Sequence, residues 1–524
     1  MTLHEVQRPA TRVARYETPT DLDAALTLLA DGGDRARPIA GGTDLLVELD
    51  RGGRPGVDVL VDLGRIPGLD IIDVDGDHLR LGPLVTHNQV VSSSACRREA
   101  APLAQACWEV GSAQLRNRAT VVGNVVTASP ANDTLSALTA LGASAEIASL
   151  DGRRVVSLDE LVIGFRTTSL APGELVTALL VPRLDDRSRG VFVKLGLRRA
   201  QAISVLHLAA VVAFDRPVSG PTGDAVVTGA RIAVGSAAPT VLTVVAAGDA
   251  LVGRPFDDAA ASAAATATAH AVSPIDDLRA TAEYRRDLVT TMVERALGAL
   301  MAGAQPSTPP PSPPRLWRPG FEGRFPTGPD HARSITDADV VAATVNGAPV
   351  ATDGAASVTL LDWLRRAGVV GVKEGCAEGE CGACTVILDG AAVMSCLVPA
   401  GRAAGADVIT AEGLSGPGGE LHPVQRAFVD CDAVQCGFCT PGFVVAVVVL
   451  LDEHPAPTPD QVGAGLAGNL CRCTGYAAIR RAVERAATDP ATATDTATAG
   501  DTETAGDPET AGDTATANDE GNGA

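Results

Sequence analysis

The sequence predicts a multidomain α+β chain that ends in an all-helical module. Three observations point there. The N-terminal part alternates helix-like and strand-like patterns, a proline-dense segment interrupts the chain, and the remainder carries two cysteine constellations of different spacing. A length of 524 residues suits about three or four domains.

Taken in chain order, residues 21–29 read as a helix behind a Thr-Pro-Thr start, and 59–63 as a short strand. Residues 206–214 and 225–234 carry the β-branched, apolar character of sheet strands. Residues 274–301 are expected to be helical, with Asp and Glu early and Arg later. This region is large enough for two subdomains. Seven prolines between Pro306 and Pro319 exclude a helix or central strand, so residues 303–335 are read as a semi-rigid spacer. Beyond it, 340–345 is a strand, Asn346-Gly347 a hairpin turn and 360–366 a short helix, the start of a β-grasp domain. The apolar run 443–451 is too short to span a bilayer and reads as a buried helix. The tail from Thr488 repeats Thr-Ala-Gly-Asp at Thr498, Thr504 and Thr510 and has almost nothing large and apolar to bury, so disorder is expected.

A formal net charge of −21 argues against nucleic acid and against an anionic membrane surface as partners. Part of it is local, since residues 488–524 hold nine acidic and no basic side chains. The first ten residues lack an apolar core and a cleavage pattern, so a cytoplasmic protein is expected.

Nine of the eleven cysteines follow residue 370, which in a reducing compartment favours metal over disulfides. Cys376, Cys381 and Cys384 are separated by four and then two residues, with Cys396 downstream. That is the plant-type ferredoxin spacing. Four thiolates must converge on a small core, three of them from one tight loop. Gly375, Gly379 and Gly382 permit the unusual dihedrals and leave amide N–H groups to face the sulfurs. Zinc can also be held by four thiolates, but more often through cysteine pairs separated by two residues. The second set is Cys436, Cys439, Cys471 and Cys473. Its first pair alone also fits a redox dithiol or half a zinc site. Pro441 after Cys439 and Gly475 after Cys473 suggest two helix ends facing each other. Cys96, Cys107 and Cys431 read as small buried hydrophobes.

Two glycine loops lie in the N-terminal part. One is Pro38-Ile39-Ala40-Gly41-Gly42-Thr43-Asp44-Leu45, the other Thr120-Val121-Val122-Gly123-Asn124, followed by Asp133. Such loops bring backbone N–H groups close to a diphosphate. Neither is Gly-x-Gly-x-x-Gly, so a Rossmann site is not supported.

The stretch 340–480 resembles the iron–sulfur subunit of the xanthine dehydrogenase/molybdenum hydroxylase family. The resemblance rests on Lys373-Glu374-Gly375-Cys376, Cys381-Gly382-Ala383-Cys384-Thr385, His422-Pro423-Val424-Gln425, the run from Gln435 to Gly442 and the run from Gly468 to Tyr476. It implies that the first four cysteines hold one 2Fe–2S cluster in a β-grasp fold. The second four would hold another in a four-helix domain, with Gln435 near the pterin of a partner. Residues 12–300 resemble the family's FAD subunit through both glycine loops, Gly82 with Thr86-His87, Leu115-Arg116-Asn117, Gly164-Phe165-Arg166 and the run 273–279. The two loops would then hold the FAD diphosphate, and Asp133 and Lys194 match FAD-contacting positions. Val122 stands where the family has a first glycine, and its branched side chain is expected to hinder backbone approach.

The implied architecture is an FAD-binding domain of two subdomains (10–185) and a CO-dehydrogenase-flavoprotein-type C-terminal domain (186–302). A linker (303–335), a ferredoxin-like β-grasp domain (336–415), a four-helix 2Fe–2S domain (416–487) and an acidic tail (488–524) follow. Xanthine dehydrogenases typically place the iron–sulfur part before the flavin part, so this order looks like a fusion of separate subunits. The implied role is the electron-transfer half of a molybdenum hydroxylase, within a hetero-oligomer. Molybdopterin sits on a large partner subunit, and electrons pass through two clusters to FAD and on to NAD or oxygen. No catalytic acid, base or nucleophile is expected here, and His87 and His422 read as structural or cofactor-adjacent. A stand-alone flavin and iron–sulfur carrier or reductase is the alternative.

Overall fold

The computed structural model describes residues 13–304, 309–326, 331–416 and 418–489. The repeats of the acidic tail and parts of the proline segment lie outside them. No helix among the described residues is long and apolar enough to cross a membrane.

The flavin part is built on three sheets. In the first, Arg15–Thr18, Val59–Asp62 and Ala36–Ile39 run parallel, with helix Leu22–Gly32 as the crossover, capped by Asp21. The second is an antiparallel sheet in the order Ile72–Asp75, His78–Leu81, Leu175–Pro182, Ser144–Ser149, Gly152–Ser157. Short helices from His87 to Leu141 pack on it around Leu103, Val121, Val125 and Leu138. The third pairs Ser188–Gly196, Ser204–Phe214 and Val227–Gly235 in antiparallel register. Helices Asp258–Ala271 and Ala282–Ala302 belong to the apolar core of this third sheet.

The expected long helix starts eight residues later than Pro274, at Ala282. The intervening carboxylate is the reason. Asp277 accepts from the Arg279 backbone N–H at 2.8 Å and pairs with the Arg279 and Arg285 guanidiniums at 2.5 Å. This folds 276–281 into a turn that ends on the Thr281 N-cap. Burial alone would raise the Asp277 pKa, but hydrogen bonds from Arg279 and Arg285 prevail and hold it well below the carboxylate range.

The C-terminal part begins as a mixed sheet in the order Ala348–Thr352, Val341–Val345, Asp407–Ile409, Thr385–Leu388, Ala391–Met394. Helix Leu360–Arg366 buries Leu361, Trp363 and Leu364 in its core. Four helices follow, Pro423–Asp430, Thr440–Glu453, Pro459–Gly465 and Ala477–Ala487. The apolar run expected to be buried lies in the second of them, and Val444 to Leu451 are all buried.

The proline segment is packed rather than free. Arg97 donates to the carbonyls of Pro309, Pro310 and Pro311. Glu453 accepts from the backbone N–H of Arg315 and Leu316, both at 2.8 Å. Leu316 and Trp317 are buried. Asn117, on the flavin side, is the hub. It donates to the carbonyls of Arg315 and Ala392 at 2.9 Å each and accepts from Trp317 Nε1 at 2.6 Å. After the segment, Arg333–Ile335 joins the edge of the first flavin sheet antiparallel to Arg15–Thr18.

Two outcomes are expected. Asn117→Ala leaves these buried partners unpaired, at a cost of roughly 2–4 kcal/mol. Amide hydrogen exchange across 315–318 and 391–394 should accelerate, and unchanged protection there would refute the hub. A depressed carboxylate stabilises the fold above its unfolded pKa of about 4 and loses that contribution as pH falls toward its folded value. Asp277→Asn should therefore lower the melting temperature at pH 7, with the gap to the unmutated chain closing on acidification below about pH 4.

Candidate functional site

The first thiol set lies on the loop between the Leu360–Arg366 helix and the Thr385–Leu388 strand, with Cys396 just past the Ala391–Met394 strand. All four thiols converge. Cys376 contacts Cys381 and Cys396, and Cys396 contacts Cys384. Hydrogen bonding from Cys381, then from Cys396, pulls the Cys376 thiol far below its ordinary value, and Cys381 is driven up in return. Three backbone N–H groups, of Glu378, Glu380 and Cys381, donate to Cys376 Sγ at 3.2–3.4 Å. An anionic sulfur core needs that amide cradle. Gly379 and Gly382 have φ of +77° and +66°, and a Cβ on Gly375 would come within 2.6 Å of Cys381 Sγ. Cys384 and Cys396 are buried, while Cys376 and Cys381 are partly exposed.

The second set sits where two helices begin, as the Pro and Gly signals suggested. Cys439 immediately precedes helix Thr440–Glu453, and Cys471 and Cys473 precede helix Ala477–Ala487. Cys473 Sγ lies 3.6 Å from Cys436 Sγ, and Cys439 contacts Cys471. Burial and then the Cys471 contact push the Cys439 thiol up to about 12. Cys471 Sγ accepts from Thr474 N at 3.4 Å and Oγ1 at 3.1 Å. Cys436 and Cys473 are exposed. Among the described residues no group of three or more His, Cys, Asp or Glu is arranged around a single metal ion. Each thiol quartet has the ligand number of a 2Fe–2S core.

The quartets touch through backbone. Leu470 N–H donates to the Cys381 carbonyl at 2.9 Å, and Asn469 Nδ2 to the Gly382 carbonyl at 3.0 Å. A Cβ on Gly442 would collide with the Gly382 carbonyl, and one on Gly382 with the Gly468 carbonyl.

In the flavin part a cavity of about 400 Å³ lies between the two glycine loops, within the usual range for a cofactor site. Pro38 through Leu45 all line it, with Thr120, Val122, Gly123 and Asn124. The N–H groups of Gly41, Gly42, Thr43 and Asp44 make no hydrogen bond to a protein acceptor among the described residues. Four successive free donors on a cavity wall form an anion cradle. Val121 is bound back to the Val85 carbonyl and buried in the core. Val122 borders the cavity, yet it is 5% exposed and packs within the same core as Val125 and Leu138.

Asp133 and Lys194 do not line this cavity. They form a buried ion pair at 2.6 Å, with Lys194 also donating to the Glu109 carbonyl and Ser204 Oγ to Asp133. Leu115 went unremarked as a contact in the sequence. It lines the cavity, and a Cβ on Gly379 of the first cysteine loop would lie 3.5 Å from it. An apolar residue inside a short helix carries no signal of that role.

Of the remaining residues singled out in the sequence, His87 lines the cavity. His87 is buried, and burial followed by Arg116 lowers its pKa to about 3, so it is neutral with Nδ1 3.3 Å from Cys107 Sγ. His422 caps helix Pro423–Asp430 in a reciprocal pair with Gln425. Cys96 and Cys107 are buried, Cys431 is only partly so, and Gln435 is exposed.

Comparison with known proteins agrees with this layout. The family model for the FAD binding domain in molybdopterin dehydrogenase matches residues 10–184, and the CO dehydrogenase flavoprotein C-terminal domain matches 192–300. The 2Fe-2S iron-sulfur cluster binding domain matches 343–408, and the 2Fe-2S binding domain 410–484. The nicotine 6-hydroxylase medium subunit of Paenarthrobacter nicotinovorans is 34% identical over 293 residues, 56% of this chain and 98% of that protein. The nicotinate dehydrogenase small FeS subunit of Eubacterium barkeri is 50% identical over 133 residues, 24% of this chain and 84% of that protein. A carbon monoxide dehydrogenase structure from Hydrogenophaga pseudoflava superposes with a TM-score of 0.52 at 30% identity, covering 57% of this chain and 99% of that one. The chain thus belongs to the xanthine dehydrogenase/molybdenum hydroxylase family of oxidoreductases, with an FAD-binding module ahead of two 2Fe–2S modules.

Proposed function

We propose that this chain is the electron-transfer component of a molybdenum hydroxylase, with the cysteine quartets and the glycine-loop cavity as its cofactor seats. Cys376, Cys381, Cys384 and Cys396 hold one 2Fe–2S cluster, and Cys436, Cys439, Cys471 and Cys473 hold the other. The Pro38–Leu45 and Thr120–Asn124 loops take the FAD diphosphate, and the Asp133–Lys194 pair braces the wall beside it. When bound, the clusters carry single electrons and the flavin collects two.

One observation carries the reading. The three seats adjoin in series, with Leu470 N–H bonded to the Cys381 carbonyl on one side and Leu115, which lines the cavity, packed against the core that contains Cys384 and Cys396 on the other. The chain's residues hold, insulate and connect. The amides around Cys376 stabilise negative charge, and the buried pair Cys384 and Cys396 keeps water from that side. The exposed edge is at the other end. Cys436 and Cys473 lie together, and they, Gln435, Phe438 and Leu470 are each exposed. An exposed apolar patch beside a redox centre suits a protein partner, here a large molybdopterin-binding subunit. NAD or oxygen then accepts electrons at the flavin end.

Anaerobically purified chain should contain about four irons, four sulfides and one FAD. Cys381→Ser should remove one cluster signal from the electron paramagnetic resonance spectrum and leave the second. It should also slow flavin reduction by a co-purified large subunit more than about a hundredfold, since the series is then broken. Rapid flavin reduction in that variant would sink the serial route. Val122→Gly should cost about 2 kcal/mol of stability by opening a cavity. Its FAD dissociation constant should stay within about twofold, whereas binding at least tenfold tighter would show the side chain obstructs the diphosphate.

A further inference from the structure

Arg118 lies between the two glycine loops in sequence and behind both in space. Its Nη2 donates to the Ala40 carbonyl at 3.2 Å. Gly41 rests against the Arg118 carbonyl with no room for a Cβ. Ala119 and Thr120, the next two residues, line the larger cavity. Arg118 therefore fixes one loop by its side chain and backbone and leads directly into the other.

Its opposite face is built by the other half of the chain. The guanidinium lies 5.1 Å over the ring of Phe325, in the packed segment that leads into the iron–sulfur part. Phe325 in turn meets Phe321 edge-on, and Phe321 meets Trp317. Arg118, Phe325 and Arg402 border a small second cavity of about 50 Å³ with Ala40, Gly64 and Thr120. Arg402 comes from the β-grasp domain. It reaches Asp62 of the flavin sheet at 3.5 Å and donates to the Pro326 carbonyl at 3.2 Å. Asp62 is held by the Tyr16 hydroxyl and the Gly64 N–H, both at 2.8 Å. Arg65 closes the group by donating to the Ala404 carbonyl at 3.1 Å.

Arg118 is buried, and its Nε has no hydrogen-bond partner. Its guanidinium therefore rests on one backbone carbonyl and one aromatic face. A guanidinium with five donors and so few fixed partners takes its position from what it stacks on. That surface belongs to Phe325, which does not line the larger cavity.

We infer that Arg118 is a positioning residue that couples docking of the iron–sulfur half to retention of FAD. Phe325 and Arg402 hold it against the Ala40–Gly41 loop, so residues that never touch the flavin set how firmly the loop amides are presented. The inference rests on the reading that FAD occupies the larger cavity. Two features suit the coupling to an anionic ligand. Arg118, Arg402 and Arg65 outnumber the carboxylates of Asp62 and Asp389 that face them, and the loop they back carries four free N–H groups.

The test is FAD affinity in the full chain, measured by flavin fluorescence on protein stripped of FAD, with iron content followed in parallel. Phe325→Leu and Arg118→Met should each raise the dissociation constant about tenfold or more, with iron unchanged. Arg118→Lys keeps the charge but loses the planar stack, and should raise it about threefold. Arg97→Ala, which loosens the proline segment far from the loops, should leave it unchanged. If Phe325→Leu loses iron as well, Arg402→Lys takes its place with the same expectation. Unmutated affinity in Phe325→Leu or in that replacement, or equal weakening in Arg97→Ala, would overturn the coupling while the FAD seat stood. An unmutated chain that takes up no FAD would overturn the seat and the coupling together.

Discussion

Everything in this molecule depends on a buried polar junction that cannot be half made. Asn117 saturates the Trp317 indole and two main-chain carbonyls on the far side, and accepts from Asn88 Nδ2 at 2.6 Å on its own side. Asn88 is in turn held by Arg116 Nε at 2.9 Å. Inside a protein such a network is costly when any member is unpaired and rigid when all are satisfied. An apolar interface of the same area would tolerate sliding. This one fixes one register between the flavin loops and the first cysteine loop, and redox seats need a fixed separation.

The chemistry-bearing loops were legible because their demands are local. A cysteine loop with spacing four then two, set among glycines, announces itself in a few residues, and so does a Gly-Gly turn after an apolar step. The thiols that spacing brought together do converge, and the Gly-Gly loop does wall a cavity. What stayed hidden is non-local. The proline segment reads as a spacer because it lacks N–H donors, but its carbonyls still accept, and Arg97, more than two hundred residues earlier, uses them. Arg333–Ile335 is three residues long and has no periodicity to read, so its place on the flavin sheet came only with the fold.

The late start of helix Ala282–Ala302 teaches a similar lesson. Composition at 274–281 favours a helix, but one carboxylate shared between two arginines outweighs propensity, which is worth only fractions of a kcal/mol per residue. Asp133 and Lys194 are a different case. Both are buried and close to the loops, yet they face each other rather than the cavity. Position in a motif identified residues that matter there without saying what they touch. Leu115, Arg118 and Leu470 act through contacts between halves, which no single stretch of sequence encodes.

The strand Arg333–Ile335 has a further consequence, which concerns counting. It belongs in sequence to the second half and in space to the first, so the two halves are threaded together as well as docked. A tether of this length keeps the halves at an effective concentration on the order of millimolar, however dilute the protein. Each synthesis event therefore delivers the flavin half and the cluster half in equal numbers. A cell making this chain has no surplus of either half to manage, and no encounter between them to wait for.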